Sequence, residues 1–190
     1  MPNHITNKIE FYGEQSNIDK ILELIKGEEE CIDFEKIIPM PDDIFRGNLG
    51  PEEREMYGTN NWYDWSIFNW GTKWNAYWSN LDKANNTMEF DTAWSCPIPV
   101  LNKLAEMCYE HGVWFTGMWA DEDMGNNAGV FESDCEGDEY WFSYEYAASG
   151  SDDAYEIYIE LKGETNCVGK DSDGNWVHYD CDNCPNANIC

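Results

Sequence analysis

Residues 87–119 read TMEFDTAWSCPIPVLNKLAEMCYEHGVWFTGMW and contain the most regular pattern in the chain. The first part, 87–94, alternates polar and apolar side chains and predicts a strand. Pro97 then opens a predicted helix that Gly112 ends, and residues 113–119 predict a second strand. The helix places its apolar residues at helical spacing: Ile98, Leu101, Leu104, Ala105 and Cys108.

The same pattern extends towards the N-terminus. Residues 74–79 predict a strand that pairs with 87–94 through a turn at Asn85-Asn86. An earlier strand at 5–11 precedes a helix for which we expect Ser16 to be the N-cap and which Gly27 ends. The order is β-α-loop-β-β-α-β, which predicts an α+β fold with two helices on one face of an antiparallel sheet.

Further strands are expected towards the C-terminus. Alternating or aromatic-rich segments predict strands at 130–132, 140–146 and 155–161, and the turn at 171–174 predicts a hairpin ending in 176–179. We therefore predict a domain over residues 1–150, with a loop insertion at about 46–66 that contains a short helix around 51–57. Residues 151–190 are predicted to form a β-hairpin and a cysteine-bearing extension.

The composition excludes several functional classes. The chain has 190 residues, 38 Asp plus Glu, 11 Lys plus Arg and a net charge of −27, so direct binding of nucleic acid is not expected. No apolar run is long enough to cross a bilayer, and we expect a soluble cytoplasmic protein. With 10 Trp, 11 Tyr and 8 Phe, the chain has enough large rings to build a folded, aromatic-rich core.

Negative charge is concentrated in the second half of the chain. No Lys or Arg lies between Lys103 and Lys162, whereas fifteen Asp and Glu residues do. Two interpretations remain open: a solvated face that keeps the protein soluble, or a surface that fits a basic groove of a partner. For the second, the predicted contact residues are Asp121, Glu122, Asp123, Glu132, Asp134, Glu136, Asp138 and Glu139.

A ligand pocket is the alternative site. Lys73 lies in the densest run of aromatic residues, and strand pairing is expected to bring it near Asp91. A lysine beside a carboxylate and Trp rings can bind a small anion or stack on a base, although a structural ion pair in an aromatic core explains the same pattern. The predicted pocket comprises Trp70, Lys73, Trp74, Asp91 and Trp94.

The cysteines of the tail form the third candidate site. The sequence contains Cys181-x-x-Cys184, with Cys167 before it and Cys190 after it. Four thiolates can hold a zinc ion, but free thiols and disulfides remain open as well. Catalytic signatures such as Gly-x-Ser-x-Gly and His-Glu-x-x-His are absent from the sequence, so an enzymatic role is not indicated.

Several runs, taken together, resemble a known family. They are MPNHITN (1–7), FEKIIPMP (34–41), WYDW (62–65), NWGTKWNA (69–76), FDTAWS (90–95) and ADED (120–123). Over roughly residues 1–145 the chain is similar to the ferredoxin-like (YubB/Api-like) domain family of conjugative plasmids and temperate phages. The resemblance implies a ferredoxin-like βαββαβ core without an iron–sulfur cluster, extended here by C-terminal strands, and an origin on a mobile element. It implies no activity.

Two hypotheses follow. The first is an acidic accessory protein of a mobile element that binds a basic surface of a host protein, such as the nucleic-acid channel of a defence nuclease, in the manner of an anti-CRISPR protein that mimics DNA. The second is a small-ligand or enzymatic domain that uses residues 70–75 together with Asp91 and Asp121.

Overall fold

Six antiparallel strands form the main sheet in the computed structural model, which describes residues 3–136, 139–163, 168–174 and 176–178. The strand order is β2-β3-β1-β4-β5-β6, and every neighbouring pair is antiparallel. The strands are β1 (His4–Gly13), β2 (Tyr77–Asp82), β3 (Thr87–Ala93), β4 (Val113–Asp121), β5 (Gly129–Glu136) and β6 (Glu139–Tyr146).

Two helices join these strands in the predicted βαββαβ order. They are α1 (Gln15–Ile25), between β1 and β2, and α5 (Ile98–Glu110), between β3 and β4. The first four strands adopt the spatial order β2-β3-β1-β4, with β5 and β6 added beside β4. The α+β prediction is confirmed, with helices packed on an antiparallel sheet and extra strands at one edge.

The main core lies between the sheet and these two helices. Along β1 the side chains alternate, and Ile5, Ile9 and Phe11 point into this core. Helix α5 buries the side chains that helical spacing predicts, including Leu101 and Leu104. Helix α1 begins at Gln15, and its N-cap is Glu14, which makes no side-chain cap, so the predicted N-cap at Ser16 is two residues late.

The segment predicted as a loop insertion contains two helices. The short helix predicted around residue 51 is present as α3 (Pro51–Tyr57), and the aromatic run that follows forms α4 (Trp62–Asn69). Asn61 caps α4 by accepting hydrogen bonds from the backbone amides of Tyr63 and Asp64. A shorter helix, α2 (Phe34–Ile37), precedes both.

The strand predicted at 155–161 is wrong, because these residues belong to α6 (Asp152–Lys162). Ser151 caps this helix by accepting a hydrogen bond from the backbone amide of Ala154, and Gly163 follows its last turn. Helix α6 packs across β4 and β1 through a small cluster that includes Ala120, Ala128 and Ala154. Ala120 lies opposite Thr6 of β1, so α6 covers the sheet face that points away from Ile5.

The late hairpin is confirmed in the described residues. It consists of β7 (Val168–Lys170) and β8 (Trp176–His178), which form a separate two-stranded sheet. Within the turn, the backbone amide of Asp173 donates to the Asp171 carboxylate, and the Gly174 amide donates to the Asp171 carbonyl.

Candidate functional site: the open acidic face of the sheet

One face of the sheet carries the side chains that point away from α1 and α5, and the described residues leave most of it uncovered; we call it the open face. Alternation along β1 places Lys8 and Glu10 on this face, because Ile9 and Phe11 fill the core. Alternation along β5 places Glu132 on the same face, because Phe131 and Ser133 are buried. Helix α6 covers only the part of the open face around Ala120.

One line of directly paired residues crosses all six strands, and we call it the transverse row. Glu10 lies opposite Thr87 on one side and Thr116 on the other, and Thr116 in turn lies opposite Glu132. From one sheet edge to the other, the transverse row is Asp82, Thr87, Glu10, Thr116, Glu132 and Ser143.

Carboxylates and hydroxyls alternate along the transverse row. Since adjacent strands lie about 4.8 Å apart, the backbone positions of its three acidic residues are about 9.6 Å apart. Like charges directly opposite each other destabilise a sheet, and the intervening hydroxyl residues prevent such a pairing. The row therefore carries negative charge across the whole sheet with no acid–acid pair within it.

A groove runs along the middle of the open face. It has a volume of about 430 Å³, and Met118 and Val130 contribute apolar surface to its lining. Its charged lining consists of four carboxylates and one lysine: Glu10, Glu132, Glu145, Glu160 and Lys8. The Lys8 ammonium lies 3.3 Å from the Glu160 carboxylate, so the groove keeps a net negative charge.

The predicted acidic contact residues are only partly gathered on the open face. Glu122, Asp123, Glu132, Asp134 and Glu139 are exposed, and strand alternation places Glu132, Asp134 and Glu139 on the open face. The side chain of Glu136 and all of Asp138 lie outside the described residues.

Asp121 lies inside the protein, with 5% of its surface exposed. Its carboxylate accepts hydrogen bonds from the side-chain amides of Asn3 (3.0 Å) and Asn127 (2.9 Å) and from the backbone amide of Asp123 (3.0 Å). Burial and three internal donors remove this carboxylate from any contact surface, and we therefore correct its place in the predicted set.

The predicted ligand pocket is only partly assembled. The Lys73 ammonium lies over the rings of Trp74 and Trp94, at 4.5 and 4.8 Å from their centroids. Trp70 is buried elsewhere and donates its ring N–H to the Ile38 carbonyl. Asp91 accepts a hydrogen bond from the Thr6 hydroxyl, and among the described residues no carboxylate forms an ion pair with Lys73. The protein's own lysine thus occupies the space between the two exposed rings.

The sequence did not reveal a cluster at the start of β1. The ring of His4 stacks on Trp78, its Nδ1 lies 2.7 Å from the Tyr77 hydroxyl, and its Nε2 lies 3.7 Å from a Glu122 oxygen. Burial, followed by the charges of Asp91 and Glu122, raises the pKa of Tyr77 to about 12. No sequence signal predicts this cluster, because it depends on how β1 and β2 pair with β3.

The Tyr77 hydroxyl is expected to ionise at a higher pH than an ordinary tyrosine. Phenolate absorbance is titrated for the unmodified protein and for Tyr77→Phe, and the difference between the two curves reports Tyr77. The midpoint of this difference should lie near pH 12 in the folded protein and near the ordinary value of 10 in denaturant. Between those two pH values the folded state holds this proton more tightly, so Tyr77 contributes stability that falls as the pH rises. A difference centred near pH 10 in the folded protein would show that the cluster does not hold Tyr77 neutral.

The proposed zinc ligands Cys167, Cys181, Cys184 and Cys190 lie outside the described residues, and zinc binding by them stays a prediction. Within the described part, no group of three or more His, Cys, Asp or Glu residues is arranged to hold a metal ion. Cys96 and Cys108 are buried thiols of the core, and burial raises the pKa of both.

No helix in the described part of the chain combines the length and the apolar character that a membrane span requires.

Comparison with known proteins shows that one segment of the chain is similar to a family of domains. Residues 73–159 match the family described as the ferredoxin-like domain in Api92-like protein. This segment runs from Lys73 through β6 and into α6, so it begins and ends later than the resemblance over residues 1–145 indicates. No curated protein and no solved structure matches the chain. Residues 73–159 are therefore similar to the ferredoxin-like domain in Api92-like protein, and the rest of the chain lies outside this similarity.

Proposed function

We propose that this protein is an acidic accessory protein of a mobile genetic element that binds a basic surface of a host protein through the open face. The observation that carries the proposal is the transverse row, which places Glu10 and Glu132 at regular spacing across the sheet. The proposed partner is a nucleic-acid-binding protein of the bacterial cytoplasm, such as a defence nuclease, whose basic channel would accept the open face in place of a phosphate backbone.

The charge of the open face supports fast association. Long-range attraction between a protein of net charge −27 and a basic channel raises the rate of encounter and makes it sensitive to salt. At physiological ionic strength charges are screened beyond about 8 Å, which is less than the spacing of the acidic positions in the transverse row. Repulsion within the row is therefore weak, whereas a cation in direct contact with one carboxylate is attracted strongly.

The groove supports a defined mode of contact. Its carboxylates surround apolar surface from Met118 and Val130, which suits the aliphatic stem of a Lys or Arg side chain as well as its charged end. The small-ligand alternative has less support, because Lys73 already occupies the space between Trp74 and Trp94.

A charge-matched pair of variants tests the proposal. Glu10→Gln/Glu132→Gln/Glu145→Gln removes three carboxylates from the open face, and Glu23→Gln/Glu52→Gln/Glu55→Gln removes three exposed carboxylates from α1 and α3. Both variants have the same net charge. Binding to an immobilised arginine-rich peptide is measured at low and at physiological salt.

The open-face variant should bind the peptide about tenfold more weakly, whereas the helix variant should stay within about twofold of the unmodified protein. Equal losses in the two variants would show that net charge alone drives binding, and they would refute the proposed face. Affinity purification from a bacterial host should recover a basic nucleic-acid-binding protein with the helix variant and lose it with the open-face variant.

A further inference from the structure

Trp78 has an exposed ring on a backbone conformation that tryptophan rarely adopts. Its φ angle is +52°, and 70% of its surface is exposed. The pairing of β2 with β3 shifts register between Tyr77 and Asn80, so Trp78 lies in a bulge of an edge strand. A bulky residue in the left-handed region raises the free energy of the folded state. Because the Trp78 side chain is mostly exposed, its burial offsets little of this cost.

The surrounding structure holds the bulge in place. The Glu30 carboxylate accepts a hydrogen bond from the backbone amide of Ser79 at 2.7 Å. Burial raises the pKa of Glu30, but hydrogen bonds from the Ser79 side chain and from the amides of Ser79 and Trp78 outweigh it and lower this pKa. Strained conformations that neighbouring groups maintain in this way are concentrated at binding and active sites.

The ring of Trp78 is also oriented in advance. One face stacks on the His4 ring, with centroids 5.0 Å apart and an interplanar angle of 28°. His4 is itself held by the Tyr77 hydroxyl and by Glu122. A ring fixed on one side loses little conformational entropy when a ligand stacks on the other.

The chemistry around this ring suits a cation. The Glu122 carboxylate is exposed beside His4, and Asp91 lies opposite Tyr77 on the open face. This protein already places cations over its rings elsewhere: Lys73 lies over Trp74, and Arg54 lies over Tyr63 at 5.4 Å. In the described part of the chain, Trp78 has no such cation of its own.

We propose that Trp78 is an anchor of the partner interface, where it stacks on an arginine side chain of the basic partner beside the carboxylate of Glu122. The inference rests on the proposed function, and it adds that Trp78 recognises arginine on the partner. Arginine is favoured over lysine because its planar, weakly hydrated guanidinium stacks on an aromatic face and can pair with a carboxylate at the same time. The site is continuous with the open face, since His4 and Asp91 both lie on that face.

The test uses two peptides of equal length and charge, one rich in arginine and the other rich in lysine, titrated against the full-length protein. Trp78→Gly removes the ring and suits the positive φ angle. Trp78→Asn is the second variant, since asparagine tolerates the same conformation. Phe68→Ala removes a ring from α4 that is 83% exposed and serves as the matched control. Thermal unfolding verifies that each variant is folded.

The unmodified protein and Phe68→Ala should bind the arginine peptide about fivefold more tightly than the lysine peptide. Trp78→Gly and Trp78→Asn should bind both peptides equally, through loss of affinity for the arginine peptide alone. If the Trp78 variants keep the arginine preference, or if the unmodified protein has none, the inference is overturned. The proposed function still stands in that case, provided that the open-face variant loses affinity for both peptides.

Discussion

Gly117→Ala is expected to lower the free energy of unfolding by about 3 kcal/mol, because the added methyl group has no space. A Cβ atom at Gly117 would overlap the backbone carbonyl oxygen of Lys8 and the ring of Phe131. Neither neighbour moves easily, since Lys8 belongs to the central strand β1 and Phe131 is buried. For a chain of this length, the melting temperature should fall by about 6–12 °C in a circular dichroism melt.

Trp119 and Gly129 form the next pair on the same face of these two strands, and they have the same arrangement of a ring over a glycine. Phe131 lies directly opposite Gly117, Trp119 lies directly opposite Gly129, and each ring covers the glycine that it faces. The two rings stack with an interplanar angle of 8°. Gly129→Ala should therefore destabilise the protein as much as Gly117→Ala, whereas Ser143→Ala on exposed β6 should shift the melting temperature by less than about 2 °C. A Gly117→Ala variant as stable as Ser143→Ala would contradict this packing.

Asp121→Ala is expected to destabilise the protein by about 2 kcal/mol, since it removes the acceptor of three partly buried hydrogen bonds. The Asn127 side-chain amide that donates to Asp121 also contacts the Trp94 carbonyl, so the carboxylate joins the end of β4 to the residue that follows β3. Unfolding in guanidinium chloride, monitored by tryptophan fluorescence, gives the change in the midpoint.

Glu122→Gln is the matched control, because Glu122 is the exposed neighbour of Asp121 and its loss should change the midpoint very little. Below its midpoint, the Asp121→Ala variant should bind the arginine-rich peptide as the unmodified protein does. Weaker peptide binding by a folded Asp121→Ala variant, with unchanged stability, would instead assign Asp121 to the contact surface.

Helices α1 and α5 could be predicted because their apolar residues repeat at helical spacing, and because glycine or proline marks their ends. Helix α6 could not be predicted in the same way. Its sequence satisfies two periods at once: Tyr155, Ile157 and Ile159 alternate as in a strand, while Ala154, Ile157 and Tyr158 follow helical spacing. The cap at Ser151 and the apolar patch around Ala120 favour the helix, and only the folded sheet creates that patch.

The candidate site was harder to predict than the fold. The charge of the second half of the chain is visible in the sequence, and Glu132 and Asp134 were identified from it. Glu10 and Asp82 were missed, because they join the transverse row only through the register of strands that are far apart in the chain. Asp121 looked like its acidic neighbours, and only the positions of Asn3 and Asn127 reveal its internal role.

The aromatic residues divide in a way that composition alone did not predict. A ring-rich core accounts for Phe90, Phe115 and Trp119, which are buried. It does not account for the large rings that remain exposed, among them Trp78, Trp94 and Trp141. Whether a given ring is buried depends on its position in the fold, and the number of rings in the sequence does not determine it.

Strand β6 is the outer strand on one side of the sheet, and no described strand pairs with its outer edge; it exposes Trp141, Tyr144 and Tyr146. Such an edge is a template for aggregation through addition of a strand from another copy. A net charge of −27 makes every encounter between two copies repulsive. The acidity of this chain therefore also gives it colloidal stability, and it allows an aromatic edge strand that contains neither a bulge nor a proline.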